Sequence, residues 1–253
     1  DATVFPGATE WCDGLDSDCD GLESTHIATF EAIDGSISDV TADLMEGHFR
    51  ATHMGSLRVC EGAWESVISI DVDADSLGID ERTFLIEGIG DVFIDAGGSD
   101  RVVTVESGPF RVELVSLVLM GGYASQGGAF YAETADLFLD GVLMMDNVAT
   151  SEGGAVFLGS GDVTAFQSDW AHNEVNTFGA YGGAISLVEG DFVGDDVVFH
   201  NNAAKGIGFG GALFLHEGDL ILNDAVLRNN EASLRGGAAM LSSGDVELVD
   251  SMI

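Results

Sequence analysis

Residues 11–23 read WCDGLDSDCDGLE, with five acidic side chains, two cysteines and two glycines in thirteen positions. Asp16, Asp18 and Asp20 alternate and are followed by Gly21. Carboxylates at that spacing can converge on one cation, and the glycine permits the sharp turn this needs. Oxygen donors of this kind suit a hard cation, so calcium is the expected metal. An EF-hand loop starting at Asp16 would need Glu at its twelfth position, which is Ile27. Asp13, Glu23 and the Leu22 carbonyl are the candidates to complete the shell instead. Zinc fits less well, because Cys12 and Cys19 with His26 nearby lack the usual close cysteine pair. The competing reading is a solvated acidic linker that binds nothing.

The segment is similar to the CDGxDxDCDG metal-binding motif of myxobacterial and related secreted proteins, and to the calcium repeats of thrombospondin. The likeness covers Cys12 to Gly21, with Ser17 where Asn is usual. It implies a secreted or cell-surface protein. In that setting a Cys12–Cys19 disulfide would tighten the acidic loop. Cys60 makes the cysteine count odd, so at least one thiol lies outside any such pair.

Other acidic or basic positions have plainer explanations. Asp71, Asp73 and Asp75 alternate after the strand-like run VISI; calcium is one reading, but outward carboxylates on a strand account for them without a metal. Asp195 and Asp196 are adjacent, but Asp196, Asp224 and Asp250 recur at one repeat position, which points to a turn row. His172, His200 and Arg228 also recur near one another in the repeat, and Lys205 stands alone in a variable loop. A polysaccharide lyase needs a base beside a cation-held uronate, and a hydrolase needs two carboxylates at a set separation. Neither set breaks the repeat convincingly, so the balance is against catalysis and no catalytic or organic-cofactor residue is assigned.

The elements that carry these residues are repeats. Gly-Gly-Ala recurs at 127, 153, 182, 210 and 236, at spacings of 26, 29, 28 and 26. Nine residues after the first Gly stands Asp136, Asp162, Asp191, Asp219 or Asp245, and twenty after it Asn147, Asn173, Asn202 or Asn230. All length variation falls after the Asn, so one corner bulges while the rest keeps register. Apolar residues alternate at Phe130/Ala132, Val156/Leu158, Ile185/Leu187 and Leu213/Leu215, a period of two that argues strand. Met144, Trp170, Phe199 and Leu227 form a further apolar row. The expectation is an all-β chain: a right-handed parallel β-helix, with coils of about 25–29 residues and three short strands each. In it the asparagines form a structural ladder along the stack.

The repeat GGA-x-x-L-x-x-GD closing on N-x-A resembles right-handed β-helix proteins of bacterial surfaces, among them the chlamydial polymorphic outer-membrane proteins. The resemblance covers about residues 85–253 and implies a fold more than a function. Residues 91–126 resemble a degenerate coil with Gly122 near the Asn slot, and 57–70 the first coils. The expected division is therefore an acidic calcium-binding segment at 1–34 and a β-helix at 35–253. The missing initiator Met suggests a processed or cloned start. The last copy stops short of its Asn, which suggests further coils beyond Ile253.

If the third and fifth positions after the first Gly point inward, the fourth points outward. That row holds Tyr131, Phe157, Ser186, Phe214 and Met240. An exposed stripe of Tyr131, Phe157, Phe214 and Met240 would be a face for a protein or glycan partner, unless a loop covers it. The chain carries 44 Asp plus Glu against 8 Lys plus Arg, a net charge of −36. Such a field repels nucleic acid and anionic lipid and attracts cations. No stretch has eighteen apolar residues, so this segment has no membrane-spanning helix. The expected role is structural or adhesive: a rigid stalk that binds a protein or glycan on a surface, or that self-associates. The alternative is a polysaccharide lyase or glycoside hydrolase of the β-helix type.

Overall fold

A computed structural model describes residues 27–72, 83–106, 108 and 110–253. These form a parallel β-solenoid with one five-residue helix, Thr41–Met45. Among the described strands, every pairing except the two antiparallel ones made by Ala28–Ala32 is parallel.

Three sheets run along the stack, of eight, fifteen and seven strands. The first holds the strands after each Gly-Gly-Ala: Phe130–Thr134, Val156–Ser160, Ile185–Glu189, Leu213–Glu217 and Ala239–Leu241. Its register does not slip, so Phe130, Val156, Ile185, Leu213 and Ala239 stack in one column. The fifteen-stranded sheet carries two ladders. One runs through Asp136–Asp140, Val163–Phe166, Phe192–Asp195, Leu220–Asn223 and Val246–Val249. The other runs through Leu143–Met145, Asp169–Ala171, Val198–His200 and Val226–Arg228. Upstream, the long strand Thr83–Asp95 pairs with both and joins them. Each coil therefore has a fourth short segment beyond the three expected, because the second strand is broken by a corner.

That corner is chemical. Ser116, Gly141, Gln167, Asp196, Asp224 and Asp250 all have positive φ between the two ladders. Short polar side chains and glycine tolerate this left-handed conformation best. A second row of positive φ, at Asp146, His172, Asn201 and Asn229, immediately precedes the ladder asparagines. Close stacking explains the Gly of the Gly-Asp turn. Gly190 has φ +143°, and a Cβ there would lie 2.0 Å from the Gly161 carbonyl oxygen one coil away.

Inward side chains from the first sheet and both ladders fill one continuous core, including Phe130, Val156, Leu187, Phe192 and Leu220. Trp170 and Phe199 stack at 4.4 Å and 5°, and Phe192 meets both edge-on. Such pairs contribute roughly 0.5–1.5 kcal/mol beyond the area they bury. The seven-stranded sheet covers only a small cluster, Ala149, Val175, Ala180 and Ala204. Small residues there let the Asn corner approach the core closely.

The first coil is covered by non-solenoid structure. Ala28–Ala32 lies antiparallel between Gly55–Glu65 and Ile37–Asp39, and the helix tucks Leu44 inward. An antiparallel strand and a helix shield the hydrogen-bonding edge of a solenoid. The boundary expected at 34/35 falls in the turn between Ala28–Ala32 and Ile37–Asp39.

Candidate functional site

The stacked asparagines are a hydrogen-bonded ladder. Nδ2 of Asn147 donates to Oδ1 of Asn173 at 3.1 Å, Asn173 to Asn202 at 3.0 Å, and Asn202 to Asn230 at 3.0 Å. Each Nδ2 also donates inward to a backbone carbonyl, of Leu119, Met144, Trp170 and Phe199 in turn, at 2.8–3.1 Å. Each Oδ1 accepts the backbone N–H of the residue one coil back, ending at Gly122. Asn147, Asn173 and Asn202 are fully buried, so their polar atoms serve the fold and face no ligand. At Gly122 the ladder stops, because a Cβ would meet the Gly128 carbonyl at 1.9 Å.

The aspartates nine residues after the first Gly of each Gly-Gly-Ala form a second ladder of opposite sense. Oδ1 of Asp136, Asp162, Asp191 and Asp219 each accepts the backbone N–H of the next Asp, at 2.8–3.1 Å. Part of the acidity thus has a structural use on the surface.

The aromatic row is corrected by the structure. Phe157 and Phe214 are only 4% and 7% exposed, and Ser186 is buried. Tyr131 stacks on Phe157 at 5.5 Å, and Tyr181, which immediately precedes Gly182 and Gly183 of the preceding coil, folds over Phe214 at 4.6 Å. Tyr131 and Met240 stay half-buried. The row is a packed seam between two sheets with openings at either end, in place of a continuous exposed stripe. The covering column, Glu152, Tyr181, Phe209 and Arg235, is set by parallel pairing across successive coils.

Two grooves flank this seam. One, of about 460 Å³, is lined by His48, Arg50, Asp100, Arg101, Glu106 and Tyr131 among others. Its arginines are engaged. Arg101 donates to the carbonyls of Gln126 and Gly127 and to Thr104 Oγ1, and lies 4.5 Å over the Tyr131 ring. Burial lowers its pKa, yet a guanidinium stays charged at any ordinary pH. Arg50 pairs with Asp71, which accounts for that carboxylate without a metal. The other groove, of about 420 Å³, is lined by Glu152, Tyr181, Phe209, Phe214, His216 and Met240 among others.

The residues weighed for catalysis sit elsewhere. Asp196, Asp224 and Asp250 are corner residues. Lys205 pairs with Glu174. His172 and His200 do meet: their rings are 5.5 Å apart, and Asn201 Nδ2 lies 3.2 and 3.0 Å from their nitrogens. His200 Nε2 is 3.4 Å from Asp169 Oδ2. Burial raises the pKa of Asp169, and its Oδ1 is enclosed without a hydrogen-bond partner among the described residues. Sequence reading missed this contact, since Asp169 differs from its counterparts Leu143, Val198 and Val226 only in one coil.

The N-terminal candidates Asp13, Asp16, Asp18, Asp20, Leu22 and Glu23, with Cys12 and Cys19, lie outside the described residues, as do Asp73 and Asp75. Cys60 is buried and disulfide-bonded, and its carbonyl accepts the Trp64 indole N–H at 3.1 Å. Among the described residues no group of three or more His, Cys, Asp or Glu has the arrangement of a metal site. No helix among them is long and apolar enough to cross a membrane.

One family model matches the chain: Cu-binding MopE, described as "Putative metal-binding motif", over residues 1–23. No curated protein and no solved structure matches. The chain is a parallel β-solenoid preceded, at residues 1–23, by a segment of that metal-binding motif type.

Proposed function

We propose that the protein is a secreted or cell-surface scaffold: a rigid solenoid with an N-terminal calcium-binding motif, which binds a protein or glycan on a surface or associates with itself. The observation that carries this reading is the Asn ladder. Four stacked side chains, three of them fully buried, tie successive coils through their amide and carbonyl groups, a device for stiffness along the rod. The motif at the N-terminus adds a metal, and its carboxylates favour a hard cation such as calcium over the copper in the family's name.

Calcium addition raises the melting temperature of the full chain under this reading, and elemental analysis finds calcium bound. A chain that carries no metal, or takes copper in preference, ends the calcium assignment. The competing reading is a polysaccharide lyase or glycoside hydrolase acting at the groove around Arg50, Asp100, Arg101 and Glu106. The engagement of both arginines weighs against it. A polysaccharide-degradation screen beside a glycan array separates the two: cleavage supports the enzyme, binding without cleavage the scaffold.

A further inference from the structure

We propose that the groove between Glu152, Tyr181, Phe209 and Phe214 receives a basic side chain of a partner polypeptide. This rests on the scaffold reading above and names the chemistry of one partner contact. The groove arises from the repeat itself. Its floor is the outward face of the first sheet, with Met240 paired to Phe214 one coil on and His216 two residues along the Phe214 strand. Its wall is the column Glu152, Tyr181, Phe209.

Three aromatic rings line it, with Tyr181 in ring contact with both of the others. Tyr181 lies 5.4 Å from Phe209 at 11° and 4.6 Å from Phe214 at 48°. Aromatic faces carry negative charge density and attract ammonium and guanidinium groups. Glu152 stands beside them, one rung before Tyr181 in the column. Burial pushes its carboxyl above the usual carboxylate range, and a 3.4 Å hydrogen bond from Ser186 Oγ and the field of His216 offset this only in part. Among the described residues no lysine or arginine lines the groove; Arg235 lies one rung beyond Phe209 and is exposed. A half-desolvated carboxylate beside three rings lacks a full counter-charge. An entering cation supplies it.

The charge balance selects the occupant. A neutral sugar would leave the carboxylate uncompensated, and an anion would meet both Glu152 and a chain of net charge −36. A lysine or arginine side chain brings a cation on an aliphatic stem, and the stem suits the Met240 thioether and the ring edges. The acidic surface draws basic polypeptides toward it.

The test titrates the full chain, by NMR or calorimetry, with the peptide acetyl-Ala-Lys-Ala-amide and with its norleucine analogue, which has the same stem and no charge. The lysine peptide is expected to bind at least tenfold more tightly. Glu152→Gln, which keeps the shape, is expected to remove most of that difference, and Tyr181→Leu to weaken the lysine peptide severalfold. Melting temperatures of both variants confirm that they are folded. Equal binding of the two peptides overturns the proposal, as does an unchanged lysine affinity in folded Glu152→Gln. Tighter binding of tetramethylammonium than of the peptide assigns the groove to a small free cation and overturns it as well. Glycan-array binding and self-association test the scaffold reading independently, so failure at the groove leaves that reading standing.

Discussion

Asn202 Oδ1 accepts two hydrogen bonds from Asn173 at once, from its side-chain Nδ2 at 3.0 Å and its backbone N–H at 3.0 Å. One carbonyl oxygen thus fixes both the position and the rotamer of the residue one coil back. Asn173 does the same for Asn147 and sends its second amide hydrogen to the Met144 carbonyl at 2.9 Å. Asn173→Ala leaves several of these buried groups unpaired at about 1–3 kcal/mol each, so a loss of at least ~3 kcal/mol is expected. Asn173→Asp does not rescue it, because its oxygen faces Asn202 Oδ1 and the Met144 carbonyl. Urea unfolding of the three proteins measures this; an Asp variant as stable as the parent refutes the donor assignment.

The Gly-Asp turn tests close stacking. Gly190→Ala places a Cβ 2.0 Å from the Gly161 carbonyl at a φ of +143°, so the coils must part. A loss of at least ~2 kcal/mol is expected. Gly179 is the control. Its φ is +83° and nothing lies within 4 Å of a Cβ there, so Gly179→Ala should lose only the left-handed cost of about 1–2 kcal/mol.

The aspartate ladder adds self-repulsion to its hydrogen bonds. Neighbouring rungs stand ~4.8 Å apart, where like charges directly opposite are unfavourable. Asp191→Asn keeps an oxygen for the Asp219 N–H and removes one charge. It is expected to stabilise by roughly 0.2–1 kcal/mol at low salt, the gain shrinking as added salt screens the column. A melting temperature that falls at low salt would show that the charge itself is needed.

Glu152 supplies a pH signature. Burial raises its folded pKa above the ordinary 4.5, so the folded state binds its proton more readily than the unfolded chain. That contribution to stability is complete below pH 4.5 and is lost as pH climbs through the raised value. The stability of the parent relative to Glu152→Gln should therefore decline across that window and level off above it. The group is half exposed, so solvent softens the size of the change and the direction is the readout. Melting curves at a series of pH values would refute the burial effect if the difference rose instead.

Much of this molecule is legible in the one-dimensional pattern. Five Gly-Gly-Ala triplets, each with an Asp nine residues on and the first four with an Asn twenty on, determine a stacked parallel solenoid, because any slip would misplace all three rows at once. The alternation of Phe130/Ala132 and its counterparts marks the inward face, and the clustering of Asp196, Asp224 and Asp250 marks a corner. These features are local and recur, so each copy vouches for the others. Repetition cannot say how far a neighbouring segment leans over an outward row. Phe157 and Phe214 stand at an outward position and are nonetheless buried, because Tyr131 and Tyr181 come down on them from an adjacent rung and an adjacent sheet. The same holds for Asp169, which reads as one polar residue in an otherwise apolar column until the stack sets it 3.4 Å from His200. Sequence determined which residues stack, since stacking follows the period. Only the tertiary structure decided which outward residues meet water, because that depends on packing between sheets whose separation no period encodes.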